Sequence, residues 1–374
     1  MKKELRSKLD RAWQDQAASV KEWKARTGGK AIGLPLTDVP EELVWAAGAL
    51  PVTVLGRDLP LQHADKHLQG FACAYSRSLT EQAERGDLDF LDGLIMPYAC
   101  DTTRCLDLIF RYMKRDGFYD CLRLPKRITT EAVRTYYTAE LHRVADALGA
   151  FTGKPVDNAA LSAAIQAYNA VRAQLAKLRD GMREGREGVR LSDYLSAVRA
   201  AMSLAPDVSA PLLAEVVAEL GAPAKTAKPR VVLAGKMAEP TELADLLEAA
   251  GLSIIEDHLV VGGRWVEAAA LESGDPWLAL VDRHQSRLPF AGIWTAEPNR
   301  GAYLLRRAKA TGAVGAVVLV QKFCEILEID IPGMKEVLEK DGVPMFSIET
   351  DLRSQSLESV RTRVEAFAEM LKAR

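Results

Sequence analysis

The residues of this chain with the widest chemical reach are five cysteines: Cys73, Cys100, Cys105, Cys121 and Cys324. An odd number, with no CxxC spacing, argues against a disulfide framework, a zinc ribbon or a thioredoxin-like motif. Any one of them alone reads as a small buried hydrophobe. Two share a context that changes this reading. The runs LDGLIMPYACD and VGAVVLVQKFCE are each an apolar strand, then a cysteine, then an acid. In open α/β sheets, ligands bind beyond the carboxyl ends of the strands. Cys100 and Cys324 therefore lie where two such sheets could face one another across a cleft, and Cys73 stands at the front of a helix. Thiolates are soft ligands that favour iron–sulfur centres or zinc. A structural zinc site wants four closed ligands, usually tightly spaced. Three thiolates on a four-iron cluster leave one iron free for water or a substrate oxygen. The helix after Cys73 would turn its positive end toward such an anionic group. Cys105, one turn into the helix after Cys100, could substitute as ligand, but Cys100 has the strand-edge position.

The elements that must place these residues follow from the apolar spacing. Residues 1–30 read as an N-terminal helix, closed by Gly28-Gly29. AIGLPL (31–36) and PVTVLG (51–56) are strands on either side of a helix opened by Thr37 or Asp38 as cap, with Pro40 in its first turn. LDFLDGLIMPY (88–98) is a third strand, and Asp101 caps the helix after it. Residues 127–225 form a helical segment, and APAKTAKP (222–229) reads as a linker. Beyond it, RVVLAGKM, LSIIEDHLVVGG, VGAVVLVQKF and VPMFSIETD alternate with helices. The expected fold is α/β. Two flavodoxin- or Rossmann-like domains, 31–126 and 226–374, face a cleft with parallel sheets, and the helical segment 127–225 lies between them.

ADKHLQGFACAYSRS, GDLDFLDGLIMPYACDTTRCL, DHLVVGGRW, VGAVVLVQKFCE and FSIETD with RTRVEAFAEML occur in that order along most of the chain. Together they resemble the benzoyl-CoA reductase and 2-hydroxyacyl-CoA dehydratase family, slightly more its smaller reductase subunit. The three-cysteine pattern is specific as a set. The family's ligands fall on Cys73, Cys100 and Cys324. Where the family has Cys-Asp-Pro, this chain has Cys324-Glu325-Ile326, and Val260 or Val261 stands where many members carry a further cysteine. The resemblance implies a 4Fe–4S subunit paired with a related, non-identical cluster-bearing subunit. It also implies a separate ATP-hydrolysing iron–sulfur protein as electron donor and an acyl-CoA substrate. In the reductases an aromatic ring is reduced. In the dehydratases the thioester carbonyl becomes a ketyl radical and the neighbouring hydroxyl leaves.

Other candidates are weaker. His67, six residues before Cys73, is the best placed of His63, His67 and His258 to move protons. Arg77 and Arg264 could bind CoA phosphates, against the plainer reading of ordinary salt bridges. Trp265, Trp277 and Trp294 read as packing residues, and KRDGFYD and LRDGMREGREG as solvated turns. GxGxxG and the Walker A pattern are absent, so neither NAD, FAD nor bound ATP is expected. The 374 residues carry 49 basic and 51 acidic groups, a balance with no general pull toward nucleic acid or anionic lipid. No apolar run approaches the ~18–20 residues needed to span a bilayer. The charged opening MKKELRSKLDRAWQDQ is unlike a secretory signal, so a cytoplasmic protein is expected.

Overall fold

The computed structural model describes residues 1–113, 117–126, 130–224, 226–287, 299–352 and 357–374. Its frame is two four-stranded parallel sheets. The first contains β1 (Ala31–Pro35), β2 (Leu50–Val54), β3 (Gly93–Pro97) and β4 (Phe118–Leu122), in the order β2-β1-β3-β4. The second contains β5 (Arg230–Gly235), β6 (Ser253–Leu259), β7 (Gly315–Gln321) and β8 (Met345–Thr350), in the order β6-β5-β7-β8. The two orders are the same, so β1 corresponds to β5 and β3 to β7. Both central strands of each sheet are apolar along most of their length, as strands covered on both faces must be.

The helices before the second sheet are α1 (Lys3–Gln14), α2 (Gln16–Thr27), α3 (Glu41–Ala46), α4 (Ala74–Glu84), α5 (Asp101–Tyr112), α6 (Glu131–Thr152), α7 (Asn158–Glu184), α8 (Leu191–Ala201) and α9 (Pro206–Ala218). Those within and after it are α10 (Glu242–Ala249), α11 (Gly263–Val266), α12 (Pro276–Ser286), α13 (Arg300–Thr311), α14 (Glu325–Glu328), α15 (Ile331–Lys340) and α16 (Leu357–Lys372). The long helix α7 buries Leu161, Ile165, Tyr168, Arg172, Leu175 and Met182 at three- to four-residue spacing. It packs on α3 of the first sheet and on β6 of the second. One apolar core holds Val54, Leu94 and Met96 together with Leu233, Leu319 and Ile348, so side chains of both sheets share it.

The structure corrects several local expectations. The N-terminal helix is two helices, because Asp15 ends α1 and caps α2 by accepting from the Ala18 N–H. FYDCL is a strand, not a turn. Its pairing with β3 and the burial of Asp120 under Arg143 override its polar composition. Most of LRDGMREGREG belongs to α7, which runs on to Glu184 before Gly185 closes it at φ 68°. Neither Thr37 nor Asp38 caps α3, whose first residue is Glu41 behind Pro40. Trp265 and Trp277 are buried packing residues, while Trp294 lies outside the described residues.

Candidate functional site

All three predicted cysteines stand at the N-cap position of a helix: Cys73 before α4, Cys100 before α5 and Cys324 before α14. Cys100 and Cys324 follow the corresponding strands β3 and β7. At Cys100 the local geometry is a capping box. The Thr103 N–H points at the sulfur at 3.5 Å, and Thr103 Oγ1 accepts from the Cys100 N–H at 2.9 Å. The expected cap, Asp101, is the first helical residue and its side chain is exposed. Cys73 and Cys324 are joined through the backbone, because Ala74 N–H donates to Lys322 O at 3.4 Å. Gln321 fixes the approach to Cys324 by donating to Met237 O, just beyond β5, at 3.1 Å.

The three thiols lie within reach of one another's charge. Burial pushes the Cys73 thiol up, Ser76 at 3.2 Å pulls it back, and a charge on Cys100 would raise it further. Burial pushes Cys324 up to about 11, against the pull of Lys236, with Cys73 and Cys100 adding to the rise. Lys236, which directly follows β5 and is buried, acts on both. Sequence reasoning missed it, and missed Asp38 as well, whose buried carboxyl feels Lys236, Arg287 and Lys126. Lys126 in turn donates to Ala99 O at 2.5 Å and feels Cys100 and Asp38. The available signal was the matched strand order: Asp38 follows β1 as Lys236 follows β5.

Backbone strain marks the same edge. Leu36 and Phe323 hold φ of 65° and 64°, a left-handed conformation that side chains rarely adopt outside constrained sites. Among the described residues, no three His, Cys, Asp or Glu side chains close tightly enough to grasp a single metal ion.

Cys105 is exposed on α5 and Cys121 is buried within β4. His67 pairs through Nε2 with Glu84 at 3.0 Å. Glu84 is the last residue of α4, about 16 Å along the helix from Cys73 at the usual rise per residue. Arg77 bonds Asp65 at 2.6 Å and lines a groove of about 280 Å³ with Arg57, Lys322 and Phe323. Arg264 lies in a separate, smaller cavity of about 50 Å³ beside His258, Arg300 and Tyr303. There it bonds Glu267 and, at 2.7 Å, the Tyr303 hydroxyl. The two arginines therefore do not share one site.

Two parallel sheets of one order, with cysteines at corresponding strand ends and a third on a neighbouring helix, define an α/β protein with a sulfur-lined site at its sheet edges. Residues 36–371 match the family described as 2-hydroxyglutaryl-CoA dehydratase, D-component, and the chain belongs to that family. It is similar to the lactoyl-CoA dehydratase subunit beta of Anaerotignum propionicum, 29% identical over 96% of this chain and 97% of that one. It is also similar to a benzoyl-CoA reductase subunit of Thauera aromatica, 27% identical over 95% and 94%. A third relative is the (R)-2-hydroxyglutaryl-CoA dehydratase subunit beta of Acidaminococcus fermentans, 27% identical over 98% and 99%. These relatives are named as subunits, of dehydratases and of a reductase alike. Among the described residues, no helix is long and apolar enough to cross a membrane.

Proposed function

We propose that the chain is the subunit of an acyl-CoA-transforming enzyme that carries a 4Fe–4S cluster on Cys73, Cys100 and Cys324. The observation that supports this reading is that three cysteines from distant parts of the chain stand at helix N-cap positions, two of them after the corresponding strands β3 and β7, and the third tied to the second by the Ala74 N–H to Lys322 O bond. The residues fit the group. Its donors are three soft thiolates, and a multi-iron core takes its sulfurs from farther apart than a single ion does. Helix N-termini and Lys236 offset the negative charge that bound thiolates bring. Bound there, the cluster supplies one-electron transfer at low potential, with one iron left free of protein sulfur.

The protein's own share is to hold the half-buried thiols at one edge of the sheets and balance their charge. Arg57, Arg77 and Lys322 give the groove beside Cys73 a basic lining suited to CoA phosphates. The exposed Phe71 and Phe323, beside Cys73 and Cys324, offer apolar surface to a related, cluster-bearing partner subunit. An ATP-hydrolysing iron–sulfur protein would deliver the electrons. The reaction we assign first is ring reduction of a benzoyl-CoA-type thioester, as in the named reductase relative. Loss of water from a 2-hydroxyacyl-CoA is the second reading, favoured by the identity to the lactoyl-CoA dehydratase relative.

Protein purified without oxygen should bind about four iron per chain, with the matching visible absorbance. Cys73→Ala should lose both. A colourless wild-type protein after iron and sulfide reconstitution sinks the proposal. Supplying the assembled complex with benzoyl-CoA and, separately, with lactoyl-CoA then decides between the two reactions.

A further inference from the structure

Asp38 is 1% exposed, and among the described residues neither of its carboxylate oxygens has a hydrogen-bond partner. Buried carboxylates are almost always bonded, so an orphan of this kind calls for a partner that is not part of the chain. The alternatives within the chain fail. Asp38 does not cap α3, which begins three residues later behind Pro40. The cations that act on it, Lys236, Arg287 and Lys126, do so through space without a hydrogen bond to either oxygen. Its position is nevertheless tightly built. Leu36 turns the chain sharply at φ 65°, and the Thr37 hydroxyl anchors the next residue by donating to Val260 O of the second sheet at 3.1 Å. Asp38 follows β1 and Cys100 follows the neighbouring parallel strand β3, so the carboxyl and that sulfur stand at the same sheet edge, and the buried Tyr75 phenol feels both of them and Cys73.

We propose that Asp38 hydrogen-bonds the oxygen group that completes the three-cysteine site. That group is a water or the hydroxyl of the acyl substrate, either of which can donate to the carboxylate. The inference rests on the cluster reading above and adds a residue to it. An oxygen held where the chain supplies no fourth sulfur would need a polar partner from the protein. Asp38, beyond the β1 neighbour of β3, is a buried side chain with both oxygens left unbonded among the described residues. Its counterpart across the matched sheets, Lys236, supplies charge, so the two strand ends divide the work.

The test uses the full chain reconstituted without oxygen, as wild type, Asp38→Asn and Asp38→Ala. Both variants should keep the wild-type iron content. Both should change the electron paramagnetic resonance spectrum of the reduced cluster and weaken its coupling to exchangeable protons in D₂O. In the assembled complex, turnover should fall about 10–100-fold, as for other groups that orient a metal's ligands. Without iron, Asp38→Asn should melt no lower than wild type, because the amide carries no charge for burial to penalise. Coupling to H₂¹⁷O that persists with acyl-CoA added identifies the oxygen as water, and its displacement identifies it as the substrate's. Iron-loaded variants with spectra and couplings identical to wild type overturn the proposal. So does a folded Asp38→Asn that loses its iron, since the residue would then hold the cluster itself. A wild-type protein without iron instead removes the cluster reading and this one with it.

Discussion

The two sheets have one strand order but carry different charge beyond their matched strands. Beyond β1, the first sheet places Asp38, Glu41 and Glu42, all buried. Beyond β5, the second places Lys236 and Glu239, also buried, the acid paired with Arg199 of α8 at 2.8 Å. Only the sulfurs are matched, one after β3 and one after β7. The repeated layout thus supplies position, while chemistry is assigned residue by residue at corresponding strand ends. The acids of the first sheet are balanced from outside it. Arg172 of α7 pairs with Glu42 at 2.7 Å and with Glu41, and Arg283 of α12 approaches Glu41 at 4.0 Å. The helical segment is therefore an electrostatic partner of the first sheet as well as a packing layer.

The sharpest way to break the comparison is at the matched sulfurs. If the ends of β3 and β7 are equivalent, Cys100→Ser and Cys324→Ser should each abolish iron binding after reconstitution. Cys105→Ser and Cys121→Ser should keep it, because one thiol is exposed on α5 and the other is buried in β4. Iron retained by either of the first two variants, with loss in Cys105→Ser, would shift the site along α5.

The next effect isolates the acids beyond β1. Arg172→Met removes the nearer cation from two buried carboxylates, leaving Glu41 with Arg283 at 4.0 Å and Glu42 without a close partner among the described residues. Breaking a buried pair from one side costs about 3–5 kcal/mol. Adding Glu41→Gln and Glu42→Gln should recover much of that loss in chemical denaturation. A variant as stable as wild type would mean that Arg172 contributes packing alone.

A smaller effect probes how β5 can end so close to β7. Gly235 has φ 133°, and a Cβ there would lie 2.1 Å from Leu319 O. Gly235→Ala should therefore cost about 1–3 kcal/mol in denaturation. It should also disturb Lys236, the next residue. The corresponding end of β1 is Pro35, whose ring could not occupy so close an approach, so the closeness belongs to the second sheet alone.

These contrasts explain what was legible in the sequence. The apolar strands and the cysteines at their ends were readable because burial on both faces and a strand terminus leave local marks. The strand FYDCL was hidden by its charge, since Asp120 is buried only because Arg143 from α6 reaches it at 2.9 Å. Asp38 looked like a helix cap, the commonest role for an acid before such a run. Nothing local says that its oxygens are left unbonded. Lys236 was equally silent, because a lysine after a strand is ordinary until the fold buries it. His67 stood near Cys73 in sequence, but α4 carries its partner Glu84 to the opposite end of the helix. Charge at the site is a tertiary property, and spacing alone does not encode it.

The smallest effect lies within one strand of the second sheet, where neighbouring acids on β6 point opposite ways. Burial alone would raise the Glu256 carboxyl, but His258 and Arg307 hold it down to about 2. Burial pushes Asp257 up to about 7, even though its oxygens accept from the Leu259 and Gly263 N–H groups at 2.6 Å. The second shift makes the sign of the pH dependence unusual. Between about 3.8 and about 7 the folded state keeps a proton on Asp257 that the unfolded chain has released. Its contribution to stability is thus full below that window and declines as pH rises through it, by at most about 1.4 kcal/mol per pH unit. Glu256 works in the other direction, contributing above about 4.5 and losing its contribution as pH falls toward about 2. Asp257→Asn should flatten stability between pH 4 and pH 7 relative to wild type, measured by denaturation at several pH values. The variant's amide can satisfy only one of the two N–H groups, so its stability should be lower overall while its slope is smaller. An unchanged slope would mean that Asp257 is ionised in the folded protein and that the Gly262-Gly263 turn binds a carboxylate rather than a protonated acid.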